Sequence, residues 1–119
     1  MTDTLQLGKT GEDLVCQYIL RNGMQLLGRN YRAGKGEIDL IAMEGDTVVF
    51  IEVKTRSGLN YGTAAEAVGY RKQQVLIQTA QHFIAQHGFY ENNIRFDVAE
   101  VYPNEGNRLN YIDNAFGMN

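Results

Sequence analysis

Apolar positions in this chain switch between helical and strand periods, and the order of the switches predicts its elements. Leu14, Val15, Tyr18 and Ile19 recur at helical spacing with Gly23 behind them, which predicts a first helix from Gly8 or Lys9 to Asn22. LLGRNYR at 26–32 predicts a short strand, and AGKG at 33–36 a mobile, glycine-rich connection. Two strands follow in GEIDLIAMEGDTVVFIEVKT, residues 36–55. Residues 64–87 predict a long helix, interrupted near Gly69, with Val68, Leu76, Ala80, Phe83, Ile84 and His87 at helical spacing and Gly88 as its stop. RFDVAEVY at 95–102 alternates as a strand does, Pro103, Asn104 and Gly106 make a turn, and RLNYID at 108–113 predicts a last strand. Helix, three strands, helix and two strands predict one α/β or α+β domain over residues 1–119, a mixed sheet flanked by helices.

The central strand pair carries the chemistry. Gly45-Asp46 favours a tight hairpin, and symmetric closure opposes residues whose numbers sum to 91, so Asp39 is expected to face Glu52. Alternation then sets Ile38, Leu40, Ala42, Val49, Ile51 and Val53 on one apolar face. On the other face Ile41, Met43, Val48 and Phe50 lie near the turn, while Glu37, Asp39, Glu52 and Lys54 gather at the far end, at the rim of a cleft. Directly opposed carboxylates destabilise a sheet, by about 3 kcal/mol for charges roughly 5 Å apart at an effective dielectric of about 20. Two arrangements relieve that repulsion. A divalent cation held by oxygen ligands from adjacent strands suits magnesium, which takes only one or two protein carboxylates and keeps several waters. The other is a structural network in which Lys54 pairs with Glu37 or Glu52 and Asp39 is protonated. A metal beside Lys54 would serve phosphodiester hydrolysis, the metal activating water and the lysine orienting it or stabilising developing charge.

Composition narrows the classes without choosing among them. Of 119 residues 44% are apolar and 21% charged, close to the globular average and unlike disordered or coiled-coil chains. No apolar run approaches membrane-spanning length and the N-terminus lacks the form of a signal peptide, so a cytoplasmic protein without membrane contact is expected. The lone Cys16 has no partner for a disulfide or a thiolate zinc site, and its place on the first helical stripe predicts a buried side chain. The net charge of -3 is awkward for a binder of polyanions, but residues 88–119 hold two cations against five carboxylates and the remainder is neutral. A locally basic rim therefore remains available near the carboxylates, formed by Arg29, Arg32, Lys35, Lys54, Arg56, Arg71 and Lys72.

Asp39 followed thirteen residues later by Glu52-Val53-Lys54 resembles the bipartite motif of the PD-(D/E)XK nuclease superfamily, with Ile38 in place of the first-position proline. GEIDLIA at 36–42, FIEVKTR at 50–56, RFDV at 95–98 and NAF at 114–116 resemble the YraN family of bacterial endonucleases, related to archaeal Holliday junction resolvases. The resemblance implies a restriction-endonuclease-like αβββαβ core. It also implies magnesium or manganese on Asp39 and Glu52, a catalytic Lys54, and Glu12 on the first helix as a further metal carboxylate. Glu12 precedes Val15 and Ile19 by three and seven residues and so borders the buried stripe; its other reading is an exposed carboxylate favoured by the helix dipole. The implied activity is a metal-dependent DNA endonuclease, with branched DNA as an expected substrate and a homodimer as the expected form for paired cuts; a DNA-binding module of the same fold, working through a protein partner, is the rival.

Lys72 interrupts the inward stripe between Val68 and Leu76, where it reaches phosphate or the site carboxylates, or lays its stem on the sheet with its head in water. Arg56 continues the strand face of Glu52 and Lys54 and is read as a phosphate contact or a solvated strand-end charge. Arg29, Arg32 and Lys35 flank the glycine-rich loop and track a nucleic-acid strand, with Tyr31 available for stacking, or form a solvated loop. Asp97 shares a strand face with Arg95 and is read as its structural partner. Gly8-Lys9-Thr10 lacks the upstream glycine of a phosphate-binding loop, and His82 and His87, five apart, fall on different helical faces.

Overall fold

A computed structural model describes residues 4–56 and 68–117, with side chains from Thr10 onward. Its elements are α1 (Thr4–Arg21), β1 (Gln25–Ala33), β2 (Gly36–Glu44), β3 (Thr47–Thr55), α2 (Tyr70–His87), β4 (Asn93–Tyr102), a 3-10 turn (Pro103–Glu105) and β5 (Arg108–Phe116). The strands form one sheet in chain order. Neighbours are antiparallel except β3 and β4, which are parallel and joined through α2, as a parallel pair requires a crossover. This is the expected α+β architecture, a mixed five-stranded sheet between two helices, in which α1 to β4 follow the αβββαβ order and β5 adds a further strand beside β4. No helix among the described residues is long and apolar enough to cross a membrane.

Each face of the sheet has its own core. Val15 and Ile19 of α1 pack on Leu40, Ala42, Val49, Ile51, Ala99 and Val101, with Cys16 buried among them as its stripe position predicts. Leu76, Ala80, Phe83 and Ile84 of α2 pack on Ile41, Val48, Phe50, Phe96 and Val98. The helix over this face begins at Tyr70, with Gly69 in extended conformation ahead of it. Residues 64–67 of the predicted helix lie outside the described residues. At the other end α1 starts at Thr4, because Gly8 weakens a helix by about 1 kcal/mol relative to alanine without ending it.

The glycine-rich connection is a tight turn rather than a mobile loop. Ala33 pairs with Gly36 across Gly34 and Lys35, and Gly34 takes φ +58°, which a two-residue hairpin needs. Gly36 also lies close against α2: a Cβ there would stand 2.1 Å from Thr79 Oγ1 and 2.8 Å from Val75 Cγ1.

Register in the β2–β3 hairpin follows the sum of 91 from Glu44↔Thr47 to Leu40↔Ile51. Beyond that the strands part, so Asp39 and Glu52 are not ladder partners as the symmetric register anticipates. The Asp39 carboxylate instead accepts the Val53 backbone N–H at 2.8 Å. Alternation also breaks here: Leu40 lies in the core under α1, whereas Ile38 lies in the core under α2. Across the pair, Asn30 between Arg29 and Tyr31 has φ 53°. Ile38 therefore leaves the face expected for it.

Candidate active site

The fork between β2 and β3 places two carboxyls against one another where these two interior strands part. Glu52 follows Val48 and Phe50 on the α2 side of β3 and is only 8% exposed. Burial raises its pKa to about 8, assisted by the charge of Asp39 and a hydrogen bond between the two side chains. Burial raises Asp39 as well, against the lowering effect of its bond from Val53 N–H. A single proton shared by the pair at neutral pH satisfies both shifts. Among the described residues, Glu52 Oε2 is buried without a hydrogen-bond partner. Lys72 Nζ on α2 lies 3.9 Å from that oxygen, and Lys54 lowers the Glu52 pKa through its charge.

Glu12 approaches from α1. Its carboxylate pairs with Arg29 Nη2 at 3.2 Å, and its charge contributes to the raised pKa of Asp39. Among the described residues, no three His, Cys, Asp or Glu side chains converge as a closed metal cage. The donor set that fits a cation is the Asp39–Glu52 pair, with a buried oxygen lacking a donor, and a magnesium-like ion needs no more protein ligands than these.

Most expected phosphate contacts already have carboxylate partners. Arg29 is held by Glu12 and Asp13, and Arg32 lies 3.4 Å from Glu37 across the first hairpin. Arg56 places Nε and Nη2 at 3.0 and 2.9 Å from Glu100 Oε2 and is largely buried. Lys72 is paired with Glu52, and together with Lys35, Arg32 and Glu37 it lines a groove of about 500 Å³ beside the first hairpin turn. Tyr31, read as a stacking platform, instead packs edge-on against Phe83 and donates to Gln86 Oε1 at 2.6 Å.

Glu100 is the site residue that periodicity does not single out. It is 3% exposed and accepts from Arg56 and Asn110, with a further hydrogen-bond interaction with Tyr102. Its only signal is a charged residue in the otherwise apolar second half of RFDVAEVY. Asp97 is the structural residue expected. It holds Arg95 through both oxygens and accepts the Tyr111 hydroxyl and the Asn114 N–H.

Comparison with known proteins gives a match to the uncharacterised protein family UPF0102 over residues 11–101. A UPF0102 protein of Alkaliphilus metalliredigens is 46% identical over 110 residues, covering 92% of this chain and 96% of its own. A UPF0102 protein of Rhodococcus opacus is 42% identical over 118 residues, covering 98% and 100%. A third from Caldanaerobacter subterraneus is 41% identical over 114 residues, covering 92% and 93%. None of these descriptions states an activity.

Proposed function

Because this chain belongs to the UPF0102 family, the YraN family its motifs resemble, we propose that the fork is the active site of a metal-dependent DNA endonuclease. The observation that carries the reading is the buried Glu52 Oε2, which has no hydrogen-bond partner among the described residues, beside Asp39, whose carboxylate is fixed by the Val53 N–H. A buried carboxylate oxygen without a donor costs free energy unless a ligand completes it. Bound Mg²⁺ or Mn²⁺ would supply a water of lowered pKa and polarise a phosphoryl oxygen.

Asp39 and Glu52 would hold that ion, with Glu12 close enough to influence Asp39 through its charge. Lys54 orients the attacking water or stabilises charge developing on the phosphate. Lys72 is the counter-charge of Glu52 and, lining the groove with Lys35, would meet the substrate backbone. A non-catalytic DNA-binding module accounts less well for the arrangement, since Arg29, Arg32 and Arg56 are paired with carboxylates rather than gathered into a basic surface. Branched DNA is the proposed preferred substrate; paired cuts would then need two such sites in a symmetric dimer.

The test is cleavage of single-stranded, duplex, flap and four-way-junction DNAs with Mg²⁺ or Mn²⁺ by the parent, Asp39→Ala and Lys54→Ala. Cleavage by the parent alone is expected. A folded parent as inactive as both variants on every substrate refutes the enzyme, and salt-dependent binding without cleavage assigns the chain to the module.

A further inference from the structure

Two glutamates are buried on the α2 side of the sheet on adjacent strands, two register positions apart, and they are opposites in supply. Glu52 lacks a donor at one oxygen, whereas Glu100 is saturated by Arg56 and Asn110. Lys54 stands between them. It follows Glu52 by two residues on β3, and the parallel register pairs it with Glu100 on β4. Adjacent strands lie about 4.8 Å apart, so side chains on one face at paired positions are immediate neighbours. Val48 and Phe50 on β3, and Phe96 and Val98 on β4, pack under α2, and alternation brings Lys54 and Glu100 to that same face.

An unneutralised carboxylate buried at 3% exposure would take the nearest flexible cation. Arg56 occupies it instead. Its planar, permanently charged fork sets Nε and Nη2 on Glu100 Oε2, while its own backbone N–H is fixed to Val101 O at 2.7 Å. We propose that Arg56 is a positioning residue: by neutralising Glu100 it leaves Lys54 to serve Glu52 and the phosphate. The proposal rests on the nuclease reading for its purpose, and it revises the expectation that Arg56 itself contacts phosphate.

The competition between Arg56 and Lys54 for Glu100 can be read without catalysis. Urea midpoints are measured for Lys54→Met in the parent and in the Arg56→Gln background. Little change is expected in the parent and a further lowering in the Arg56→Gln background, where Lys54 has become the partner of Glu100. Adding Glu100→Gln is expected to remove that extra loss. An equal effect of Lys54→Met in both backgrounds overturns the proposal. If Arg56→Gln does not fold, Arg56→Met carries the same comparison, since its apolar stem keeps the packing while the charge is removed, and equal effects again overturn it.

With a substrate found by the cleavage panel, Arg56→Gln is expected to lower kcat on the order of tenfold or more with little change in KM. Arg56→Gln/Glu100→Gln is expected to recover most of the loss. A merely structural Arg56 predicts no such rescue. An inactive parent refutes the nuclease reading and leaves the urea comparison able to decide the competition.

Discussion

Replacing Glu52 with glutamine should make the protein more stable while removing its metal response. Glu52 titrates near 4.5 when unperturbed and at about 8 in the fold, a rise caused first by burial and then by Asp39. The sign follows from linkage. Below pH 4.5 both states hold the proton and Glu52 costs nothing; as pH rises toward 8 the unfolded chain releases a proton the fold retains, and stability falls. The loss approaches about 1.4 kcal/mol per pH unit in that window, so the cost at pH 7 is about 3 kcal/mol and levels off above the folded pKa. A glutamine never ionises, and its amide can donate to Asp39, so Glu52→Gln is expected to gain about 1–3 kcal/mol at pH 7. The assay is urea unfolding of parent and variant from pH 5 to pH 8.5. The gap should be small at pH 5 and widen with pH. Parallel pH dependences, or a variant less stable than the parent at pH 8, would refute the account of Glu52 as a strained, desolvated acid.

Mg²⁺ or Mn²⁺ is expected to raise the melting temperature of the parent, more strongly at pH 8 than at pH 6 because the ion competes with the shared proton, and to leave Asp39→Asn and Glu52→Gln unmoved; thermal melts across pH check this. Gly36→Ala should cost about 1–3 kcal/mol in urea unfolding, because its Cβ meets Thr79 and Val75 of α2 too closely to be absorbed. Asp97→Asn should be more damaging, about 3–5 kcal/mol, since it breaks a buried pair and leaves Arg95 without its bidentate partner; urea unfolding reads the loss, and a change within error would contradict the network.

The hairpin was legible because its information is local. Gly45-Asp46 and the alternation around it determine the pairing from Leu40↔Ile51 to Glu44↔Thr47, and the carboxylates fall near one another with it. What the pattern misses is where periodicity yields to polar satisfaction. Asp39 turns toward the Val53 N–H and parts the strands, carrying Ile38 to the other core, and no count of alternating residues contains that bond. AGKG looked mobile by composition, whereas the φ of Gly34 makes it a two-residue turn. The fate of Arg56 depended on Glu100, 44 residues away, and only the parallel β3–β4 register brings them together. The Arg95–Asp97 pair was accessible because the two residues are neighbours on one strand face.

The fork also sets an order of events in folding. Asp39, Glu52 and Lys54 belong to a hairpin closed by two residues, whereas β3 meets β4 only after the chain has returned through α2. Local pairs form ahead of distant ones, so the carboxyls come together while still hydrated and both ionised at neutral pH. Water leaves them only when α2 and β4 dock, and that docking drives the rise in their affinity for a proton. Refolding at pH 7 should therefore consume protons in its late phase, a lag that a pH indicator in stopped flow would resolve from the earlier appearance of β structure; simultaneous uptake and sheet formation would show instead that the hairpin waits for its roof.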